Sequence, residues 1–192
     1  MVAAALPPFA EDRPVIRAAY EWAAHLHASQ LRDVDRAPFI LHPLEVAALL
    51  SSRGFDDDVV AAGLLHDLVE DTDTDLEEVR RRFGDRIAAT VAAVTEEPTI
   101  DDYRARKAAL RDQVAAAGPD AHAVYAADKV AKARELRAQA ARTESFLDDP
   151  ALRRRLEHYE QSLAKLLEVA GLPSLVEALA FELWALRQLP PA

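Results

Sequence analysis

Apolar residues recur along this chain at helical rather than strand spacing. After Pro14, the residues Val15, Ala18, Ala19, Trp22, Ala23 and Leu26 share one face, which predicts a first helix running to about Ser29. Residues 30–40 carry Asp33, Asp35 and Pro38 and read as a loop. Pro43 opens a second helix holding Val46, Leu49 and Leu50, stopped at Gly54. Asp56, Asp57 and Asp58 cap a third helix, which continues into the apolar run Val59, Val60, Ala61, Ala62, Leu64, Leu65. Thr74 followed by Glu77 forms a capping box for a fourth helix ending near Gly84, and a fifth covers residues 85–94. Pro98 to Asp102 turn the chain before a long helix beginning near Tyr103. Gly118-Pro119 breaks that helix, and another spans about residues 121–141. Two more, near residues 150–170 and 173–189, complete the pattern. Trp22, Phe181 and Trp184 fall on apolar faces and are expected in the core. There is no fixed-period repeat, and Gly118-Pro119 and Gly171-Leu172-Pro173 read as interhelical turns. The expectation is a single all-α domain, a helical bundle over residues 1–192.

Composition agrees and narrows the function. The chain has 192 residues, 51% hydrophobic and 29% charged, with only 5 glycines, enough for one sizeable core and weighted towards helix. A net charge of −10 argues against a nucleic acid polymer as partner, which needs a basic stripe to neutralise phosphates. Arg80-Arg81-Arg82 and Arg153-Arg154-Arg155 are diluted by acidic neighbours and read as solvated helix faces. The apolar start, Met1 to Phe9, lacks a basic lead, and no stretch reaches the ~18 apolar residues of a membrane span, so a soluble cytoplasmic protein is expected. With no cysteine, any metal must be held by histidine and carboxylate.

That chemistry is concentrated in Gly63-Leu-Leu-His-Asp-Leu-Val-Glu-Asp-Thr72. On a continuous helix, His66 would stack on Glu70 and Asp67 on Asp71, giving two columns of metal-ligand and proton-transfer groups on one face. Burying such groups behind so apolar a run is costly unless something compensates them, and a divalent cation is the natural compensation. Two further residues fit the same site. His42 precedes Pro43 at the edge of the second helix, and Asp128 follows Val124, Ala126 and Ala127 in an otherwise apolar stretch. Two imidazoles and two carboxylates suit Mn²⁺, Fe²⁺ or Zn²⁺ better than Ca²⁺ or Mg²⁺, and leave open positions for water and a substrate oxygen. That is an arrangement for metal-assisted hydrolysis. The bland readings are a solvated helix end for 66–71, a helix cap for His42, and a salt bridge from Asp128 to Lys129 or Lys132. His25, His27, His122 and His158 have no second ligand at metal spacing, which favours structural or surface roles.

The order His42, His66-Asp67, Asp128 resembles the HD-domain superfamily of metal-dependent phosphohydrolases. More narrowly, His-Pro-Leu-Glu-Val-Ala (42–47), Leu-Leu-His-Asp-Leu-Val-Glu-Asp-Thr (64–72), Phe-Gly (83–84), Val-Thr-Glu (94–96) and Ala-Asp-Lys (127–129) resemble the hydrolase domain of RelA/SpoT proteins. The absence of synthetase, TGS or ACT segments makes the chain similar to the small stand-alone alarmone hydrolases. The likeness is clear over residues 15–140. It implies one Mn²⁺ held by His42, His66, Asp67 and Asp128, and removal of pyrophosphate from the ribose 3′ position of (p)ppGpp. It assigns Glu70 and Asp71 to orienting or deprotonating the attacking water. It also places Arg32 along the nucleotide and Arg106 and Lys107 towards its phosphates.

The chain departs from that pattern in one region. Asp33 stands where a second basic residue is usual, Ala105 replaces a glutamate, and Ala131 and Lys132 replace the His or Tyr and the Asn that follow Ala-Asp-Lys. Lys132, at i+4 from Asp128, can pair with it, reach a phosphate or face solvent. Three functions are consistent with this set. They are a (p)ppGpp 3′-pyrophosphohydrolase, a phosphohydrolase of another phosphorylated nucleotide (an adenine alarmone, an NADP-type dinucleotide or a nucleoside phosphate), and a non-catalytic nucleotide-binding regulatory module. The helices after residue 150 carry enough Leu, Ala and Phe to form a homodimer face or to close the core.

Overall fold

The computed structural model describes residues 6–142, 148–169 and 171–188. The expected all-α class holds: the described residues form helices and one isolated antiparallel bridge, Leu31 to Pro38. None of these helices is long and apolar enough to cross a membrane. The chain divides into two compact units, residues 1–96 and 97–192.

In the first unit, α1 (Pro14–Leu26), α2 (Leu41–Ser51) and α6 (Asp85–Val94) pack around α3 (Asp57–Leu65). α4 (Leu68–Asp71) follows α3, and α5 (Leu76–Phe83) packs on α6. The sequence of α3 explains its central place. Every residue from Val59 to Leu65 is buried, as expected of a helix apolar all round. Asp56 caps it by accepting from the Val59 N–H at 3.1 Å, and Asp57 and Asp58 in its first turn complement the helix dipole. Gly63 lets α2 approach: a Cβ there would lie 2.7 Å from Leu50 Cδ1 and 3.4 Å from Val46 Cγ1.

Several boundaries differ from the sequence reading. α1 stops at Leu26 rather than Ser29, because residues 27–29 turn the chain into the loop that holds Gln30 and Phe39 together (Phe39 N–H to Gln30 O, 3.0 Å). α2 begins at Leu41, so Pro43 lies inside its first turn, where a missing N–H costs nothing, and His42 sits on the helix instead of ahead of it. The third helix does not run through His66-Asp67. It ends at Leu65, and the pair forms a turn before α4. The His66 Nδ1–H donates to the Gly63 carbonyl at 2.9 Å, a side-chain bond that competes with helical continuation. The cap of α5 is Asp75, not Thr74. Asp75 Oδ1 accepts from the Glu78 N–H at 2.7 Å, while Thr74 N–H is bound to Thr72 Oγ1.

In the second unit, α8 (Pro119–Ala140) is packed by α7 (Tyr103–Ala117), α9 (Pro150–Val169) and α10 (Pro173–Arg187). The small side chains Ala121, Ala123, Ala126, Ala127, Ala131 and Ala133, all buried, let three helices close on it. The ends expected at residues 170 and 189 lie outside the described residues. Phe181 and Trp184 are not core residues. Each is 58% exposed, and they pack on one another at 5.8 Å, because α10 turns Leu175, Val176, Leu179, Leu183 and Leu186 inward instead. Glu182 is buried beside that apolar face and is held by Arg134 Nε (3.0 Å) and Arg137 Nε (2.8 Å) from α8, which offset its desolvation.

The tight α2–α3 approach gives a first prediction. Gly63→Val should push α2 away and destabilise the protein by about 1–3 kcal/mol through overpacking, lowering the melting temperature by several degrees. An unchanged urea midpoint would mean that Leu50 yields without cost.

Candidate metal centre

Two elements of the first unit bring ligand atoms together. His42 comes from the first turn of α2, and His66 and Asp67 from the turn between α3 and α4. The Nε2 atoms of His42 and His66 lie 3.4 Å apart. Asp67 Oδ2 lies 3.4 Å from His42 Nε2, and Asp67 Oδ1 lies 3.2 Å from His66 Nε2. Such separations suit donors sharing one ion at about 2.0–2.2 Å. All three residues are at least nine-tenths buried: His42 and His66 are 4% exposed and Asp67 6%.

The tautomer of His66 follows from its partner. A carbonyl only accepts, so the 2.9 Å bond to Gly63 O places the ring proton on Nδ1. In the neutral ring, His66 Nε2 then carries its lone pair towards His42 and Asp67. A ligating imidazole whose other nitrogen donates to a carbonyl is the usual outer arrangement of a metal site. The donor set thus fits a bound metal ion.

Glu70 and Asp71 lie on α4 just beyond the buried trio, and both are exposed. Glu70 Oε1 accepts from the Glu96 N–H at 2.6 Å, which fixes the carboxylate against the end of the first unit. In the sequence, Val-Thr-Glu (94–96) stands out only as a motif. The operative group is the Glu96 backbone amide, which no side-chain pattern reveals. Arg32 turns back on Asp35 within its own loop, with Nε 3.1 Å from Oδ1, and Asp33 beside it is exposed.

The remaining candidates belong to the second unit. Asp128 is 4% exposed on α8. Its Oδ2 lies 2.6 Å from Lys129 Nζ and its Oδ1 3.0 Å from Lys132 Nζ. Burial works against the Lys129 ammonium. The Asp128 carboxylate overrides it, aided by Tyr125, whose ring lies 4.4 Å below Nζ, so the Lys129 pKa stands above the ordinary lysine value. Arg106 donates through Nη1 to the carbonyls of Ile100 (2.7 Å) and Asp101 (3.2 Å), bracing the turn before α7. Lys107 Nζ sits 5.5 Å over the Tyr103 ring.

The same unit buries a histidine that the sequence offered only as structural. Arg111 donates to His158 Nδ1 at 3.0 Å, which puts the ring proton on Nε2, an atom without a hydrogen-bond partner among the described residues. Burial, then the positive charges of Lys129, Lys107 and Arg111, push the His158 pKa down to about 2 against the smaller opposing pull of Asp128. Ser162 Oγ donates to the His158 carbonyl at 2.7 Å, so the 2.8 Å contact with Tyr125 is donated by the phenol.

Comparison with known proteins extends this picture. A family model described as an HD domain matches residues 19–147. The guanosine-3′,5′-bis(diphosphate) 3′-pyrophosphohydrolase of Aquifex aeolicus is 46% identical over 90 residues, 47% of this chain and 12% of that much longer protein. The guanosine-3′,5′-bis(diphosphate) 3′-pyrophosphohydrolase MESH1 of Mus musculus is 40% identical over 121 residues, 62% of this chain and 67% of the relative. A solved structure described as a metazoan ortholog of SpoT that hydrolyses ppGpp and plays a role in starvation responses superposes with a TM-score of 0.79 at 25% identity, covering 97% of this chain and 100% of that one.

His158 gives a pH prediction. Its folded pKa of about 2 lies below the ordinary 6.5, so between those values the unfolded chain binds a proton that the folded one does not. The stability this ring leaves intact is full above about pH 6.5 and is lost as pH falls, by up to ~1.4 kcal/mol per pH unit. Urea midpoints measured from about pH 7 down to pH 5 should therefore fall more steeply for the natural protein than for His158→Gln. Parallel curves would show that the ring titrates normally.

Proposed function

The chain belongs to the HD-domain family, and we propose that it is a metal-dependent phosphohydrolase that removes pyrophosphate from the ribose 3′ position of (p)ppGpp. The observation that carries the reading is the buried convergence of His42 Nε2, His66 Nε2 and the Asp67 carboxylate, followed in the chain by the exposed carboxylates Glu70 and Asp71. The names of its relatives supply the substrate class: Aquifex aeolicus and Mus musculus proteins are both guanosine-3′,5′-bis(diphosphate) 3′-pyrophosphohydrolases.

His42, His66 and Asp67 would hold the ion, and the Ala-Asp-Lys motif assigns Asp128 as a further ligand. Mn²⁺ is the ion we favour, with Fe²⁺ and Zn²⁺ compatible with the same donors. When bound, the ion supplies a lowered pKa for water and charge neutralisation on the phosphoryl oxygens. The protein's own groups do the rest. His66, with its Nδ1 proton committed to Gly63, offers a lone pair without changing protonation state. Glu70, held by the Glu96 amide, orients the attacking water. Asp71 lies exposed beside it and can accept the water's proton and release it to solvent. Burial of the ligands and exposure of the proton-handling pair divide the labour, because charge attraction is strong only where water is excluded. Arg32, Arg106, Lys107 and Lys132 are the cations we assign to the nucleotide.

A second reading rests on Lys132, which pairs with Asp128 where relatives of the resemblance carry an asparagine. It keeps the chemistry and changes the substrate to another phosphorylated nucleotide. The decisive experiment is pyrophosphate release from ppGpp by protein stripped of metal and reloaded with Mn²⁺. Release should require Mn²⁺ and fall at least about a hundredfold in His66→Ala and Asp67→Ala, the loss expected when several kcal/mol of transition-state stabilisation disappear. Metal binding without pyrophosphate release from ppGpp would reject this substrate, and turnover of another phosphorylated nucleotide would then separate the second reading from a non-catalytic nucleotide-binding module.

A further inference from the structure

α4 is only four residues long, yet it carries both carboxylates assigned above to the attacking water. A helix of one turn cannot hold its own conformation, because nucleation fixes several dihedrals for a single hydrogen bond. Its geometry must come from outside. The Glu96 amide supplies one tie, to Glu70. The last residue of α4 is met by Gln30, whose Nε2 donates to the Asp71 backbone carbonyl at 2.6 Å.

That bond propagates inward with a defined polarity. The Asp71 carbonyl only accepts, so the Gln30 amide must present its NH₂ there and its Oε1 to the opposite side. Oε1 lies 2.6 Å from His27 Nδ1, which must then carry the ring proton. His27 is 1% exposed, and its ring packs on Phe39 at 4.7 Å between centroids. Phe39 lies 6.1 Å from the His42 ring, and His42 lies 5.3 Å from His66. The backbone locks the same corner: Gln30 N–H donates to His27 O, Phe39 N–H donates to Gln30 O, and Leu31 bridges to Pro38. His27 therefore joins two rows, one of aromatic rings running to the buried imidazoles and one of hydrogen bonds running to Asp71.

We propose that Gln30, oriented by His27, is a positioning residue that holds the Asp71 end of α4 in register with the His42–His66–Asp67 centre. It touches no reacting atom, and it rests on the assignment of Asp71 given above. Its effect is geometric, since a proton acceptor must be held within roughly half an ångström of its productive place. Glutamine is the residue this needs. Glutamate accepts from His27 but cannot donate to a carbonyl, and asparagine is one methylene short of spanning both partners.

The test uses Gln30→Ala and Gln30→Glu, at a half-buried loop position where neither opens a core cavity. Amide exchange over residues 68–74 should accelerate at least about tenfold in both variants, with exchange in α8 unchanged. In Mn²⁺-loaded protein, kcat for pyrophosphate release should fall about 10–100-fold, with KM and Mn²⁺ affinity unchanged. Unaltered exchange at 68–74, or a Gln30→Glu protein that turns over like the natural one, overturns the proposal. If the natural protein binds Mn²⁺ but does not act on ppGpp, the substrate reading fails alone, and the exchange measurement still decides the role of Gln30.

Discussion

The first unit is organised around an electrostatic debt: two imidazoles and a carboxylate sit within 3.4 Å of one another at the end of a helix with no solvent-facing side from Val59 to Leu65. Removing such groups from water is unfavourable unless they are coordinated or bonded in kind. Each local feature nearby answers that constraint. Gly63 clears the space in which α2 delivers His42, and its carbonyl takes the His66 Nδ1 proton. The regular helix ends at Leu65, while His66 and Asp67 keep right-handed helical backbone and bring their side chains to His42.

Just outside this centre the physical regime changes. Glu70 and Asp71 are exposed on a helix of one turn, and what holds them is borrowed from elsewhere in the unit: an amide from the last residue of the Val-Thr-Glu segment and a carboxamide from the loop after α1. A rigid buried set with a rim assembled by long-range hydrogen bonds suits hydrolysis. In the proposed reaction the buried groups would hold the ion in place, while Glu70 and Asp71 would exchange protons with solvent.

The second unit solves a related problem with cations. α8 is buried along most of its length, and Asp128 within it is neutralised by Lys129 and Lys132. The cost of burying Lys129 is met by that carboxylate and by the Tyr125 ring. Burial, reinforced by the positive charges of Lys129, Lys107 and Arg111, keeps His158 neutral. Glu182 shows the reverse arrangement, one buried carboxylate between two arginines.

The sequence by itself determined the helical class and most helix positions, because these depend on local periodicity and caps, and His-Asp-x-x-Glu-Asp behind an apolar run marks where the proposed ligands lie. Asp85–Val94 and the start at Tyr103 were legible to the residue, since Gly84 and Asp102 mark them. Local signals failed where two local options compete. Asp75 and Thr74 can both cap α5, and only the chain's path past Thr72 selects Asp75. Phe181 and Trp184 look like core on a helical wheel, but α10 is apolar on more than one side, and packing on α8 and α9 decides which side is covered. The Glu96 amide on Glu70 and the Gln30 bridge to Asp71 were decided by tertiary structure alone. They are bonds between groups 26 and 41 residues apart, or to backbone atoms that every residue possesses, and such bonds leave no periodic trace in the chain.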